Sequence, residues 1–309
     1  MTQPQLQELL EAGVHFGHQT RRWNPKMRPF IFAERSGIYL IDLQKTLRQL
    51  QAAQELLRQV VLNGDNVLFV CTKRQLAQVV KAEAERCGAN WVTERWLGGT
   101  LTNFQTIKRQ IRRLKELEQG QDEGAFDFFT KKERLQLERE RLKLERNLAG
   151  VKSMSRLPGA VFVVDAKKER IAIAEANKLG IPVVAIVDTN ADPDVTTIPI
   201  PGNDDAIRSV QLITSAIVEV IGEARKEAPI REAASDSEAY SSYAPESSQA
   251  DEEDQRRRRQ RRKRRPKPEA IAARLRAEVP STGGGDDTAA SSGGGDSDAD
   301  QAAPSDSSA

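Results

Sequence analysis

The chain has 309 residues, 38% apolar and 30% charged, with a formal net charge of +2. That composition allows a buried core but leaves much of the chain in water, and no apolar run approaches the ~18 residues needed to span a bilayer. The polar, acidic start MTQPQLQELLEAG lacks the basic head and apolar centre of a signal peptide, and Cys71 and Cys87 form no CxxC pair, which excludes a disulfide framework or zinc ribbon and predicts a cytosolic protein.

The first segment with a chemical signature is GVHFGHQTRRWNPKMRPFIF, residues 13 to 32. It holds the only two histidines, His15 and His18, three residues apart. A zinc site needs three or four ligands, and Asp188, Asp192, Asp204 and Asp205 are the donors left to complete one. The metal set so defined is His15, His18, Asp188 and Asp205. The competing reading is a hydrogen-bonded, partly buried histidine pair, with Gly13 and Gly17 allowing close backbone packing. After the histidines, no acid occurs between residues 12 and 33. Arg21, Arg22, Lys26 and Arg28 can neutralise phosphates there, Trp23 can stack on a base, and the prolines predict an extended strip. The alternative is a basic loop without a partner.

A helix is expected over about 42 to 62. VLFVC, 67 to 71, reads as a buried strand, followed by a helix from Lys73 to Arg86 that Gly88 stops. NWVT, 90 to 93, is a second strand. From Thr102 to Gln119 the apolar positions are Phe104, Ile107, Ile111, Leu114 and Leu117, a narrow seam of coiled-coil type. Thr102 with Gln105 predicts one capping box and Thr130 with Glu133 a second. Residues 102–149 are therefore expected to form an antiparallel helical hairpin inserted into the domain. In its first helix KRQIRR, with Lys108, Arg109, Arg112 and Arg113, contains no acid and suits phosphate contact. In its second helix cations alternate with glutamates, as on a solvated face. AVFVV (160 to 164), PVVAIV (182 to 187) and TIPI (197 to 200) are further strands, the last at an edge because of Pro199. A helix near 168 to 179 lies between the first two of these, and Asn203 is placed to cap a last helix, 204 to about 226.

Strand and helix in alternation predict an α/β fold, a doubly wound parallel sheet of about five strands. It would be formed by 1–101 and 150–228. Residues 229–309 carry 13 Lys/Arg against 16 Asp/Glu, leaving 34 against 29 in the rest. This low-complexity stretch, with the basic run 256–265, is expected to be disordered.

A doubly wound sheet suggests a nucleotide-binding or metal-dependent enzyme, but TKRQ follows the first strand where GxGxxG or a P-loop would stand. Gly98-Gly99 in RWLGGTLTN is either a phosphate cradle or, more simply, a tight bend. Asp165 and Asp188, at strand ends, have no nucleophile or histidine beside them in sequence and read as a helix cap and an Asx-turn. A coiled-coil protein adaptor is a further alternative. Arg95, Trp96 and Asn103, with the cations of KRQIRR, make a second RNA-type region, and Lys73 and Arg74 a third.

LLEAGVHFGHQTRRWNPKMRPFIF, ERWLGGTLTNF, LPGAVFVVDAKKERIAIAEANKLGIPVVAIVDTNADPD and IPGNDDAIRS together resemble the bacterial small-subunit ribosomal protein S2 family, over roughly residues 3 to 226. The resemblance implies a flavodoxin-like domain with a coiled-coil insertion. It implies no enzymatic activity, no small-molecule substrate, no cofactor and no membrane. It implies cytoplasmic, ribosome-bound protein at the junction of head and body, in contact with small-subunit ribosomal RNA and other ribosomal proteins, and support of ribosomal protein S1 in translation initiation. The family pattern ends near residue 226 to 230, so the remaining ~80 residues are an extension.

Overall fold

The computed structural model describes residues 4–126 and 128–227. The predicted tail, 229–309, with its basic run, lies outside them. The elements run in the order α1 (Leu6–Glu11), β1 (Phe16–Gln19), β2 (Ile31–Arg35), β3 (Ile38–Ile41), α2 (Leu43–Leu62), β4 (Val67–Val70), α3 (Arg74–Arg86) and β5 (Asn90–Val92). There follow α4 (Phe104–Asp122), α5 (Lys131–Leu148), β6 (Ala160–Val164), α6 (Arg170–Lys178), β7 (Val183–Val187), β8 (Ile198–Pro201) and α7 (Ile207–Glu227).

β4 to β8 form one parallel sheet in the order β5-β4-β6-β7-β8. In order of appearance within the sheet this is 2-1-3-4-5, the flavodoxin-like arrangement. Its central strands β4, β6 and β7 are apolar throughout because both faces are covered. Alternate side chains separate two cores. Val67, Phe69, Phe162, Val184, Ile186 and Ile200 pack with α2, α3 and α7. Leu68, Val70, Val161, Val163, Ala185 and Val187 pack with α4, α6 and the end of α5. β8 is an edge strand, as Pro199 requires.

The first helix-covered face shows how sequence sets packing. Asp42 caps α2 by accepting from the Gln44 amide at 3.0 Å. Leu43, Leu50, Leu57 and Val61 then recur at helical spacing on the buried side. Gln54, buried on the same side, donates to the Ala216 carbonyl at 2.9 Å and ties α2 to α7.

Three sequence expectations need correction, and one sheet is an addition to them. The strip after His18 is not extended: residues 20–22 and 25–30 form 3-10 turns. Pro25 and Pro29 hold φ near the helical value, and the Asn24 side chain accepts from the Lys26 amide at 3.1 Å. β1, β2 and β3, an antiparallel sheet of order β1-β3-β2, were not foreseen. Thr102 does not cap α4; Asn103 precedes the helix without a side-chain cap bond, and Thr102 is bonded elsewhere. α7 starts at Ile207 because the Asn203 side chain accepts from the amides of Asp205 and Ala206 at 2.9 and 3.1 Å, closing a turn before the helix. The Thr130–Glu133 capping box of α5 is present.

Candidate functional site: strand-end cluster and basic surface

The carboxyl ends of the parallel strands are where a doubly wound sheet offers a crevice. Lys73 follows β4, Asp165 follows β6, Asp188 follows β7, and Asp204 and Asp205 follow β8. Lys73 Nζ lies 2.9 Å from Asp165 Oδ2, 3.0 Å from Asp204 Oδ1 and 2.8 Å from Asp205 Oδ1. β1 brings His18 over the same ends: its Nδ1 is 3.0 Å from Asp188 Oδ2 and its Nε2 3.6 Å from Asp205 Oδ2. Gly17 permits this approach, because a Cβ there would stand 2.6 Å from Thr189 Cγ2. The His18 amide then donates to Thr189 Oγ1 at 2.9 Å.

The cluster contains more acid than cation. Burial opposes the charge of Lys73, yet Asp204, Asp165 and Asp205 together hold its pKa above the ordinary lysine value. Burial, then the neighbouring Asp165 and Asp188, push the Asp204 carboxyl up to about 7 despite Lys73. Asp204 is 1% exposed, and its Oδ1 has no hydrogen bond of good geometry among the described residues. The hydrogen bond that His18 donates to the Asp188 carboxylate raises the His18 pKa. Asp165 does not cap α6 as expected: it accepts from the Lys168 amide at 2.9 Å and closes a turn ahead of the helix, whose N-cap position is Glu169. Asp188 accepts from the amide and hydroxyl of the adjacent Thr189 rather than closing an Asx-turn.

The predicted metal quartet is not what the fold assembles. His15 precedes β1 and His18 lies within it, and His15 packs its ring on Phe16 with centroids 4.0 Å apart. Burial lowers the His15 pKa. The residues whose ligand atoms converge, all within 4.8 Å, are His18, Asp188 and Asp204. Asp192 is committed to Lys26 at 2.7 Å.

Of the predicted RNA residues, Arg22, Arg28, Arg74, Arg95, Arg109 and Arg112 are exposed and have no ion pair among the described residues. Arg21 donates to Gln19 at 3.1 Å. Trp23 lies against Tyr39, centroids 5.1 Å apart. Lys26 bridges Asp192 and Asp194, at 2.7 and 2.9 Å. Lys73 is spent in the acid cluster. Lys108 stands over the Phe104 ring at 5.5 Å, and Arg113 pairs with Glu140 at 3.1 Å. Trp96 departs most from expectation: it is 8% exposed and donates its indole N–H to Glu175.

Glu175 escaped the sequence reading and organises the second region. This buried carboxylate on α6 accepts from Trp96 Nε1 at 3.1 Å and from the amides of Gly99, Leu101 and Thr102 at 2.8, 3.0 and 3.2 Å. The Thr102 hydroxyl adds a fifth bond at 3.2 Å. Burial opposes its charge, but these donors hold its pKa below the ordinary carboxylate value. Amides that could cradle a phosphate already hold an internal anion, so Gly98-Gly99 is a bend, with Gly99 at φ +87°. In sequence Glu175 is one acid among many on a short helix, and nothing there marks its partners.

The fold and these contacts define a doubly wound α/β protein whose strand-end crevice is filled by its own charged side chains. Among the described residues no helix is long and apolar enough to cross a membrane. The family model for ribosomal protein S2 matches residues 9–224, and this chain belongs to the ribosomal protein S2 family. A relative 58% identical over 221 residues is the small ribosomal subunit protein uS2 of Syntrophobacter fumaroxidans (strain DSM 10017 / MPOB); the match covers 72% of this chain and 81% of that protein. The family is one of ribosomal proteins, not of enzymes.

Proposed function

We propose that this chain is a structural constituent of the small ribosomal subunit that binds its ribosomal RNA through the exposed arginines of the 20–28 turns, Arg74, Arg95 and the α4 face. The observation that carries this is the set of six exposed arginines without ion pairs among the described residues. An exposed guanidinium not already neutralised is free to displace counterions from a phosphate backbone. α4 and α5 suit the inserted coiled-coil hairpin of the family, 102–149, between the two parts of the α/β domain, 1–101 and 150–228, with the base of the hairpin packed on the sheet. The family resemblance adds cytoplasmic residence on the ribosome, a place between head and body, and support of ribosomal protein S1. A metal-dependent enzyme is disfavoured because Lys73 already bridges Asp165, Asp204 and Asp205 in the strand-end crevice.

The test is binding to small-subunit ribosomal RNA and co-sedimentation with small subunits. Replacing Arg109 and Arg112 with Glu is expected to weaken RNA binding at least tenfold and to flatten the salt dependence by about one unit of log–log slope per lost phosphate contact. Unchanged binding and an unchanged slope would defeat the RNA reading and favour a surface that contacts protein.

A further inference from the structure

A cavity of about 470 Å³ lies between the Arg95–Gly99 loop and the neighbouring sides of α4 and α5. Pockets of this size hold small organic ligands. Its apolar lining includes Trp96, Ile107 and Leu148, all buried. Three amide side chains also line it: Asn103, Gln110 and Asn147. Asn103 Oδ1 accepts from Thr106 Oγ1 at 2.8 Å, which leaves its two N–H donors unspent. Among the described residues, the side chains of Gln110 and Asn147 make no hydrogen bond. An amide supplies a donor and an acceptor in one plane, the pattern of a base edge.

The local charge is positive. Arg95 and Lys143 line the cavity, are exposed and have no ion pair among the described residues. The one acid in the lining, Glu140, is held by Arg113 at 3.1 Å. Glu175 fixes the loop side through the three amides and the indole described above, so this wall is set before any ligand arrives.

We infer that this cavity receives one unpaired, extruded base of small-subunit ribosomal RNA, with Asn103, Gln110 and Asn147 bonding its edge and Arg95 and Lys143 its phosphates. Sequence-specific RNA recognition uses bases splayed out of the helix in this way. The inference rests on the proposal that the chain binds ribosomal RNA and adds to it a single-nucleotide site. Gly98 offers a clean way to block it. A Cβ there meets nothing within 4 Å, so Gly98→Trp adds bulk at the cavity wall without a backbone clash.

The experiment uses the full chain assembled into small subunits and irradiated to crosslink protein to RNA, with mass-spectrometric mapping. Residues 95–110 and 140–148 are expected to crosslink to one nucleotide. Gly98→Trp should abolish that crosslink and lower affinity for the RNA about tenfold. The double change Asn103→Ala and Asn147→Ala, which adds no bulk, should lower affinity similarly and leave the thermal midpoint unchanged. Crosslinks at Arg22, Arg28 or Arg109, with both cavity variants binding like the parent, would overturn the base site and leave the RNA proposal standing. Crosslinks from the cavity to another ribosomal protein would overturn it in favour of a peptide. Absence of any RNA crosslink, with the Arg109/Arg112 reversal also silent, would remove the parent proposal instead.

Discussion

Two of the sites where the molecule buries acid treat it in opposite ways. Glu175 is one carboxylate facing five hydrogen-bond donors. The strand-end cluster puts Asp165, Asp188, Asp204 and Asp205 around one lysine and one histidine. A buried charge is tolerable when its partners are complete and costly when they are not. Glu175 therefore acts as a structural anchor: a single side chain folds the loop that leads into α4. The cluster is oversubscribed with negative charge, so its state depends on protons. The two sites carry opposite linkage. Because the Glu175 pKa is lowered, its stabilisation is present above the unfolded value of 4.5 and is lost as pH falls through the folded one. Because Asp204 is raised, its stabilisation is full below the unfolded value of 3.8 and is lost as pH rises through about 7.

The largest effect is expected at the complete site. Glu175→Ala leaves three backbone amides, an indole N–H and a hydroxyl without their acceptor in a buried region. It should cost about 4 kcal/mol in denaturant unfolding. Glu175→Gln keeps one acceptor oxygen and should cost about half as much. If the two variants unfold alike and close to the parent, water replaces the carboxylate and the anchor reading fails.

Lys73→Met breaks the comparison from the other side. It removes the one lysine among Asp165, Asp204 and Asp205 and leaves crowded carboxylates behind. With the lysine side chain 17% exposed, about 2–3 kcal/mol of destabilisation is expected at pH 8. The loss should shrink at pH 5, where a proton on Asp204 does part of the lysine's work. A loss independent of pH would mean that packing of the lysine stem, not charge, is what matters.

The contrast also explains what could be read before the fold was known. Apolar runs such as VLFVC and PVVAIV announce the parallel sheet because both faces of a strand are buried there. Pro199 announces the edge. The antiparallel sheet was legible too: Ser36-Gly37 stands between IFAER and IYLI, and both residues adopt positive φ, 54° and 74°, as a two-residue type I′ hairpin demands. Other features had no local signal. The strip from Arg21 to Arg28 is free of acid in sequence, but the fold lays Asp192 and Asp194 against Lys26. Trp96 looked like a stacking ring, and only Glu175, 79 residues on, makes it a core residue. Contacts across such separations depend on which strand ends become neighbours, and residue type does not encode that.

The smallest effect tests the cluster by removing its excess. Asn is close in shape to a protonated aspartic acid, so Asp204→Asn mimics the form that burial and its neighbours favour. The groups facing it are Asp165, Asp188, Asp205, Lys73 and, through Asp188 and Asp205, His18. Asp204 and His18 both have raised pKa values and both lose stabilisation as pH rises from 5 to 8, while His15, with its lowered pKa, works against them. Asp204→Asn should raise stability at pH 8 by about 1 kcal/mol and change little at pH 5. It should also remove the Asp204 share of the slope between those pH values, leaving the part due to the histidines. Glu175→Gln should leave that slope untouched, because Glu175 has completed its titration below this window. If Asp204→Asn instead destabilises the protein at pH 8, then Lys73 requires the Asp204 charge. The cluster would then be a balanced ion network like the Glu175 site, and the distinction between the two would be lost.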